Sequence, residues 1–478
     1  MKIAFEIDII QNQLKVERKT LSFHITSVSQ VFMMFNYSYL NKILDKSLEI
    51  VWLLTIGLMP IYFNPFTYSL WEISGAILFY FLTEILLIIW LAKIILTLKH
   101  FNILAWQKYF FKIKYILPAF IFIFLMGLST FFSESPYLSF FGLYKRQMGY
   151  LIWLHYFIFF LILVFNLKSK NQIKHLSGVV TFSSFFVCLY GFCQIFGYDP
   201  IIWYELPLLT KRIFSTLGQP NFLASWILLA LPLVIYGFLN FRKKISRYFA
   251  FLIIVFLLIS LILTQSRAGW LGFIFGSIFF LLIGLRKKQI FFYSGLGLII
   301  FLIISFIYFN FHPLAYTGNP FIDRLISITH FQESGGLRLF WWQAALKEIK
   351  FLPIFGHGPE TQIFHFVKYY QPEWAIYGGM NIYPDRIHND FLDTLLTLGW
   401  PGLMSYLFLI AYTFYLGIKK IGHQISRLFL LAGLLAYLIS IQFCFHTIVV
   451  GIYFWLYLAL INAMPIYEWQ ANEANYKK

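Results

Sequence analysis

Charge is what this chain has least of. Only 12% of its 478 residues are Asp, Glu, Lys or Arg, where a soluble globular protein carries roughly 25%. With 60% hydrophobic and 22% aromatic residues, that shortage excludes a soluble domain. It predicts an all-α polytopic membrane protein, because a spanning helix satisfies its own backbone in lipid. Cysteine is nearly absent. Cys188, Cys193 and Cys444 lie inside apolar runs and offer neither a disulfide framework nor zinc spacing; they read as small buried hydrophobes. Acid is scarce too, 20 residues against 37 Lys and Arg, for a net charge of +17. An excess of that size can mean nucleic acid. Here the basic residues sit in short clusters between apolar runs rather than on one soluble face, so no nucleic-acid partner is expected. The first residues lack the basic, apolar and small-residue order of a signal peptide. Residues 1–47 read as a cytoplasmic extension, with Met33 or Met34 as an alternative start.

What the chain does have is long apolar runs. A span needs about 20 apolar residues. Twelve candidate transmembrane helices emerge: 48–65, 74–97, 115–132, 149–166, 176–196, 220–240, 249–265, 268–285, 290–309, 391–416, 428–445 and 448–464. The seventh and eighth meet at Ser266–Arg267, and the last two at His446. With the N-terminus in the cytoplasm, the clusters at Lys108–Lys114, Lys168–Lys174, Arg242–Arg247, Arg286–Lys288 and Lys419–Arg427 all fall inside. Residues 465–478 then form a cytoplasmic tail. The segment 310–390, between spans 48–309 and 391–464, is one large extracytoplasmic loop. Loops of that length are usually functional or disordered. Its stretch "LRLFWWQAALKEIKFLPIFG" predicts a helix ended by Pro353 and Gly356.

Lys and Arg are disfavoured outside, so each one there invites a role. Arg267, in "LTQSRAGWLGF", lies about one membrane thickness from the inside cluster at Arg286; the plainer reading is an arginine snorkelling to lipid phosphates. Arg338 opens the loop helix with Trp342 one turn on, and its guanidinium can fork onto a phosphate; the alternative is an ion pair with Glu333. Arg212 precedes the Gly218–Gln219–Pro220–Asn221 turn, and Lys145 and Arg146 precede span four. Ordinary loop charges are the alternative for all three. His388 is the candidate base, since imidazole titrates near neutral pH. Asp385 and Asp390 are near enough in sequence to orient it, and Asn389 can cap the helix of span ten. His357 and His365 are alternative bases, and Glu360 a second acid or base. Outward-facing Asp-x-Asp pairs are missing, as are His/acid clusters at ligand spacing apart from Asp390 and Asp393, so no metal is expected.

Five stretches, "GLYKRQMGYL", "RIFSTLGQPNFLASWILLALPL", "TQSRAGWLG", "GGLRLFWWQAALKEIKFLPIFGHGPE" and "RIHNDFLDTLLTLGWPGL", occur in this order. Together they resemble the O-antigen ligase and polymerase superfamily of bacterial membrane glycosyltransferases, over roughly residues 115–464. The resemblance implies a GT-C-like enzyme of the inner membrane with its site on the periplasmic face. It implies an undecaprenyl-pyrophosphate-linked glycan donor and an acceptor hydroxyl on a glycan, a lipid A-core or a protein. It implies no metal, no nucleotide sugar and no other cofactor. Arg267, Arg338 and His388 would then be catalytic. Arg212, Arg146, Lys145, Glu360, Asp390 and Trp342 are read as substrate-binding. Two departures, Gln219 within "GQPN" and "GHGPE" for a plain Gly-x-Gly run, touch none of the proposed chemical groups. Gln343 in "FWWQAAL" lacks the acid of the Trp-Trp-Asp signature of N-linked oligosaccharyltransferases. The chemistry expected is direct displacement with inversion: arginines stabilise the departing pyrophosphate, and a neutral imidazole takes the acceptor proton. A protein O-oligosaccharyltransferase is an alternative within the family. A lipid-linked glycan flippase is one outside it, and would call for paired broken helices and internal repeats.

Overall fold

The computed structural model describes residues 38–64, 66, 71–99, 103–199, 212–284, 314–326, 331–378, 383–419 and 425–476, with isolated positions between 293 and 312. Among the described residues every regular element is helical. In chain order the helices are α1 (38–58), α2 (Glu72–Lys99), α3 (Ile103–Phe131), α4 (Pro136–Phe141), α5 (Tyr150–Asn166), α6 (Lys170–Ile195), α7 (Pro220–Asn240), α8 (Lys244–Leu263) and α9 (Arg267–Gly284). Then follow α10 (Pro320–Ile326), α11 (Phe331–Glu348), α12 (Gln362–Phe366), α13 (Trp374–Gly378), α14 (Asp390–Lys419), α15 (Ile425–Ser440) and α16 (Ile448–Tyr476). Seven of these, α2, α3, α6, α7, α8, α9 and α14, are long and apolar enough to cross a membrane. Shorter apolar helices run over Tyr150–Asn166, Arg427–Phe443 and Ile448–Ala463. The chain is a multi-pass membrane protein.

The expected spans from 74–97 to 268–285 and from 391–416 to 448–464 coincide with these helices; the expected span 290–309 lies outside the described residues but for isolated positions. The first helix differs from expectation, running over 38–58 rather than 48–65. Its polar first half is helical because tertiary partners take its charges. Asp45 pairs with Lys93 at 2.5 Å and Lys168 at 2.7 Å, and Glu49 with His175 at 2.7 Å. Apolar counting does not see such partners.

Helix α16 is the axis of the bundle. Tyr453, Phe454, Trp455, Leu456 and Tyr457 are consecutive and all fully buried, so the helix is apolar on every side. Its tyrosines keep their hydroxyls paired, Tyr453 donating to the Ile56 carbonyl at 3.0 Å and Tyr457 to that of Leu229. Helix α9 lies close against α15. A β-carbon on Gly272 would stand 2.3 Å from the Ala436 carbonyl oxygen, and one on Gly276 2.7 Å from that of Ala432. Small residues at a four-residue spacing let the two backbones touch, which fixes where the start of α9 sits.

Helix α14 is broken by its own sequence. Gly399 has φ 68° and ψ −174°, and Pro401 removes the N–H that would have bonded the Thr397 carbonyl. The freed carbonyls find partners in the loop. Thr397 accepts from Gly358 N at 2.9 Å and from the Ser129 hydroxyl at 2.6 Å, while Leu396 accepts from His357 N at 2.9 Å. A β-carbon on Gly356, itself at φ 73°, would stand 2.3 Å from that Thr397 oxygen. "FGHGPE" and "TLGWPGL" are therefore two halves of one joint, which anchors the large loop to the bundle.

Candidate active site

The site is built on the corner between α8 and α9. The last carbonyls of a helix lack partners in their own helix and attract cations. At the end of α8, Arg212 Nε donates to the Thr264 carbonyl at 2.9 Å, beside an Ile213 N–H on that of Leu263 at 3.3 Å. Arg324, from α10, donates Nε to the next carbonyl, Gln265, at 3.2 Å. Arg267 is the first residue of α9. The Ser266 hydroxyl lies 2.8 Å from Asn221 Oδ1 and accepts from Gly269 N at 3.2 Å, so the "GQPN" turn and the "QSRAG" corner hold each other.

Arg338, from α11, completes the group. Arg212, Arg267, Arg324 and Arg338 lie close enough to repel one another. Burial, then Arg324, Arg267 and Arg338, push the Arg212 guanidinium down to about 10. Burial likewise lowers Arg338 and Arg324, the latter helped by Arg338. Arg338 has no hydrogen-bond or ion-pair partner among the described residues, and Arg212 Nη2 is buried without one. Like charges gathered in a partly buried cluster repel one another, and such a cluster fits an anionic ligand.

His388 stands beside this group. Its ring lies 5.1 Å from Trp341 and 5.0 Å from Phe445. Its backbone sits in the left-handed region, φ 57°, which non-glycine residues adopt only when their surroundings impose it. Both flanks impose it. Ile387 N donates to Asp393 at 2.9 Å, the Ile387 carbonyl accepts from Trp342 Nε1 at 3.1 Å, and Asn389 caps α14 by accepting from Leu392 N at 3.0 Å. His388 Nδ1 lies 3.1 Å from the Arg386 carbonyl, which only accepts, so Nδ1 carries the proton and Nε2 is left with its lone pair. Burial, then the Arg338 charge, push this imidazole down to about 4, against an upward pull from the Arg386 carbonyl and Asp385. It is neutral at pH 7 and able to accept a proton.

Other expected site residues sit elsewhere. Asp385 and Asp390 do not orient His388 by hydrogen bonds. Asp385 pairs with Arg146 at 2.7 Å, while Asp390 is buried against His446 Nε2 at 3.0 Å and the Tyr406 hydroxyl at 2.7 Å. A backbone carbonyl orients the imidazole instead. Glu360, fully buried at φ 66°, is held by Arg386 and by Leu143 N at 3.3 Å, so it braces the loop and is not turned to the arginines. Trp342 anchors Ile387, and its neighbour Trp341 is the ring against His388. Arg146 lies over Phe445 at 4.7 Å, on the ring that His388 also meets, and Lys145 is exposed. The alternative partner for Arg338, the Glu333 side chain, lies outside the described residues. Arg324, to which the sequence reading gave no role in the site, joins the three expected arginines. Beyond Asp390 and Asp393, which the sequence offered as loose candidates, the fold brings His357, His365 and Glu134 together, the last from more than 200 residues away in sequence.

Residues 252–407 match the protein family described as O-Antigen ligase. The matched segment runs from α8 into α14 and contains Arg267, Arg324, Arg338 and His388. Over that segment, about a third of the chain, the resemblance to O-antigen ligases holds. No curated protein matches the chain.

Proposed function

Starting from an O-antigen ligase segment that carries three of the four arginines and the histidine, we propose that this protein transfers or polymerises a glycan from an undecaprenyl-pyrophosphate donor. The reaction takes place on the extracytoplasmic face of the bacterial inner membrane. The observation that carries the reading is four arginines gathered close enough to repel one another, beside one neutral imidazole.

As the glycosidic bond to the pyrophosphate breaks, negative charge grows on the leaving phosphate. Fixed guanidinium groups at that spot stabilise the transition state more than the ground state. Arg212 and Arg324 are held by the α8 carbonyls, so they need little reorganisation when the donor arrives. His388 Nε2 takes the proton from the acceptor hydroxyl as oxygen attacks the anomeric carbon from the opposite side, giving inversion with no covalent intermediate. Neither step needs a metal, since guanidinium supplies the charge. The exposed aromatics of the large loop stack on sugar faces, and buried Trp341 packs the His388 ring. Trp342 keeps the His388 turn in place, and Arg146, paired with Asp385, steadies the ring of Phe445 that His388 meets.

The test is a deletion strain complemented with His388→Ala, Arg267→Ala and Arg338→Ala, with surface glycan resolved by gel. Loss of long glycan in each variant, at normal protein level, is expected. Single-repeat capped product identifies a polymerase, and accumulated full-length lipid-linked glycan a ligase. Wild-type glycan in all three variants removes these residues from the mechanism.

A further inference from the structure

A second cluster lies at the other end of α11 from Arg338. We propose that Glu134, His357 and His365 bind a zinc-class divalent ion, with Glu348 holding the two imidazoles from behind. The three ligands come from separate segments: Glu134 from the α3–α4 corner, His357 from the turn after α11, and His365 from α12. One ligand atom of each lies within 4.8 Å of the other two. Glu134 Oε2 is 3.4 Å from His365 Nε2, and Glu134 Oε1 is 4.0 Å from His357 Nδ1. Bonds of about 2.0–2.1 Å to a tetrahedral ion put ligand atoms roughly 3.4 Å apart, so a small movement of the exposed Glu134 side chain closes the site.

The rings are already arranged for such an ion. They stack with centroids 3.6 Å apart and planes 29° apart, so both present an edge in the same direction. On the far edge, His357 Nε2 and His365 Nδ1 each stand 3.2 Å from Glu348 Oε1. The second oxygen of Glu348 is taken by Lys368 at 2.8 Å and the Tyr369 hydroxyl at 2.7 Å. A carboxylate placed behind an imidazole favours the proton on the far nitrogen and leaves the other lone pair for a metal.

The cluster also has polar groups that protein alone does not satisfy. The nitrogens on the Glu134 side, His357 Nδ1 and His365 Nε2, are buried without a hydrogen-bond partner among the described residues. The side chain of His357 is 6% exposed and that of Glu348 1%, and groups so buried are paired in native folds. Two imidazoles and one carboxylate, with room for water as a fourth ligand, suit zinc and its transition-metal neighbours; magnesium and calcium prefer all-oxygen sites. The ion would tie the α3–α4 corner to the base of the helix that presents Arg338. Glu348 and Arg338 are about 15 Å apart along that helix, so the ion braces the loop and takes no part in the phosphate chemistry. The proposal stands independently of the glycan reading.

The full-length chain is purified in detergent, stripped with chelator and titrated with zinc chloride, with bound metal read by atomic emission. One zinc per chain is expected, with a rise in Tm. Zinc affinity should fall at least tenfold in Glu134→Gln and in the His357→Ala/His365→Ala pair, and about tenfold in Glu348→Gln. Glu134 is exposed, so E134Q should match the stripped parent in Tm before zinc is added. Absence of stoichiometric zinc in the parent, unchanged zinc affinity in E134Q and the double variant, or equal competition by magnesium overturns the proposal.

Discussion

Two sets of arginines stand at the same end of the bundle and are treated in opposite ways. Arg146 and Arg386 each hold a carboxylate, Asp385 and Glu360, and Glu72 lies within electrostatic reach of both. Arg212, Arg267, Arg324 and Arg338 instead lie close enough to repel one another. A buried ion pair and a cluster of like charges have different uses. The first locks two segments, because removing either partner strands the other. The second raises the energy of the empty protein and is relieved by an anion. One set thus fastens the loop, and under the proposed function the other receives the phosphate.

The widest separation between the sets should appear on comparing Arg338→Ala with Arg386→Ala. Loss of Arg338 should cut glycan transfer by about 10²–10³-fold while leaving thermal stability in detergent unchanged or higher, since a repelling charge is gone. Loss of Arg386 leaves Glu360 buried alone and should lower stability by about 3–5 kcal/mol, seen as a fall in Tm. Equal destabilisation by both would erase the distinction. A smaller effect sharpens it through pH. His388 must be neutral to act, and burial and Arg338 hold its folded pKa at about 4, below the usual 6.5. The acid limb of kcat/KM should therefore lie near pH 4, with turnover kept as pH falls through 6.5. A limb at 6.5 would mean that the imidazole does not feel the arginines. The least effect belongs to Lys145→Ala. Its side chain is exposed and outside both sets, so transfer should stay within about twofold of the parent, as expected of a screened surface charge.

The sequence makes the helices legible where apolar runs are continuous, as in α7 and α9, and it makes α11 legible through its Pro353–Gly356 stop. It misplaces the start of α1, because Asp45 and Glu49 are acceptable in a helix only once Lys93, Lys168 and His175 arrive from elsewhere. The same limit governs the site. Arg267 and Arg338 draw notice in the sequence because a charge at a lipid edge is costly without a purpose, and His388 because imidazole titrates near neutral pH. Glu360 and Asp390 carry the same outward signal, yet they face Arg386 and His446. Residue type announces that a buried charge has a partner; only the fold says whether that partner is protein or ligand.

The broken helix α14 has a consequence for exchanging parts between relatives. The Leu396 and Thr397 carbonyls depend on donors from residues 357 and 358 and from Ser129, so the large loop is not a cassette ending at residue 390. A transplant cut there would leave the recipient's joint facing a foreign "FGHGPE" and would tilt the turn that carries His388. The transferable unit runs from the start of α11 past Pro401, and it brings the far end of α3 with it as an obligate companion.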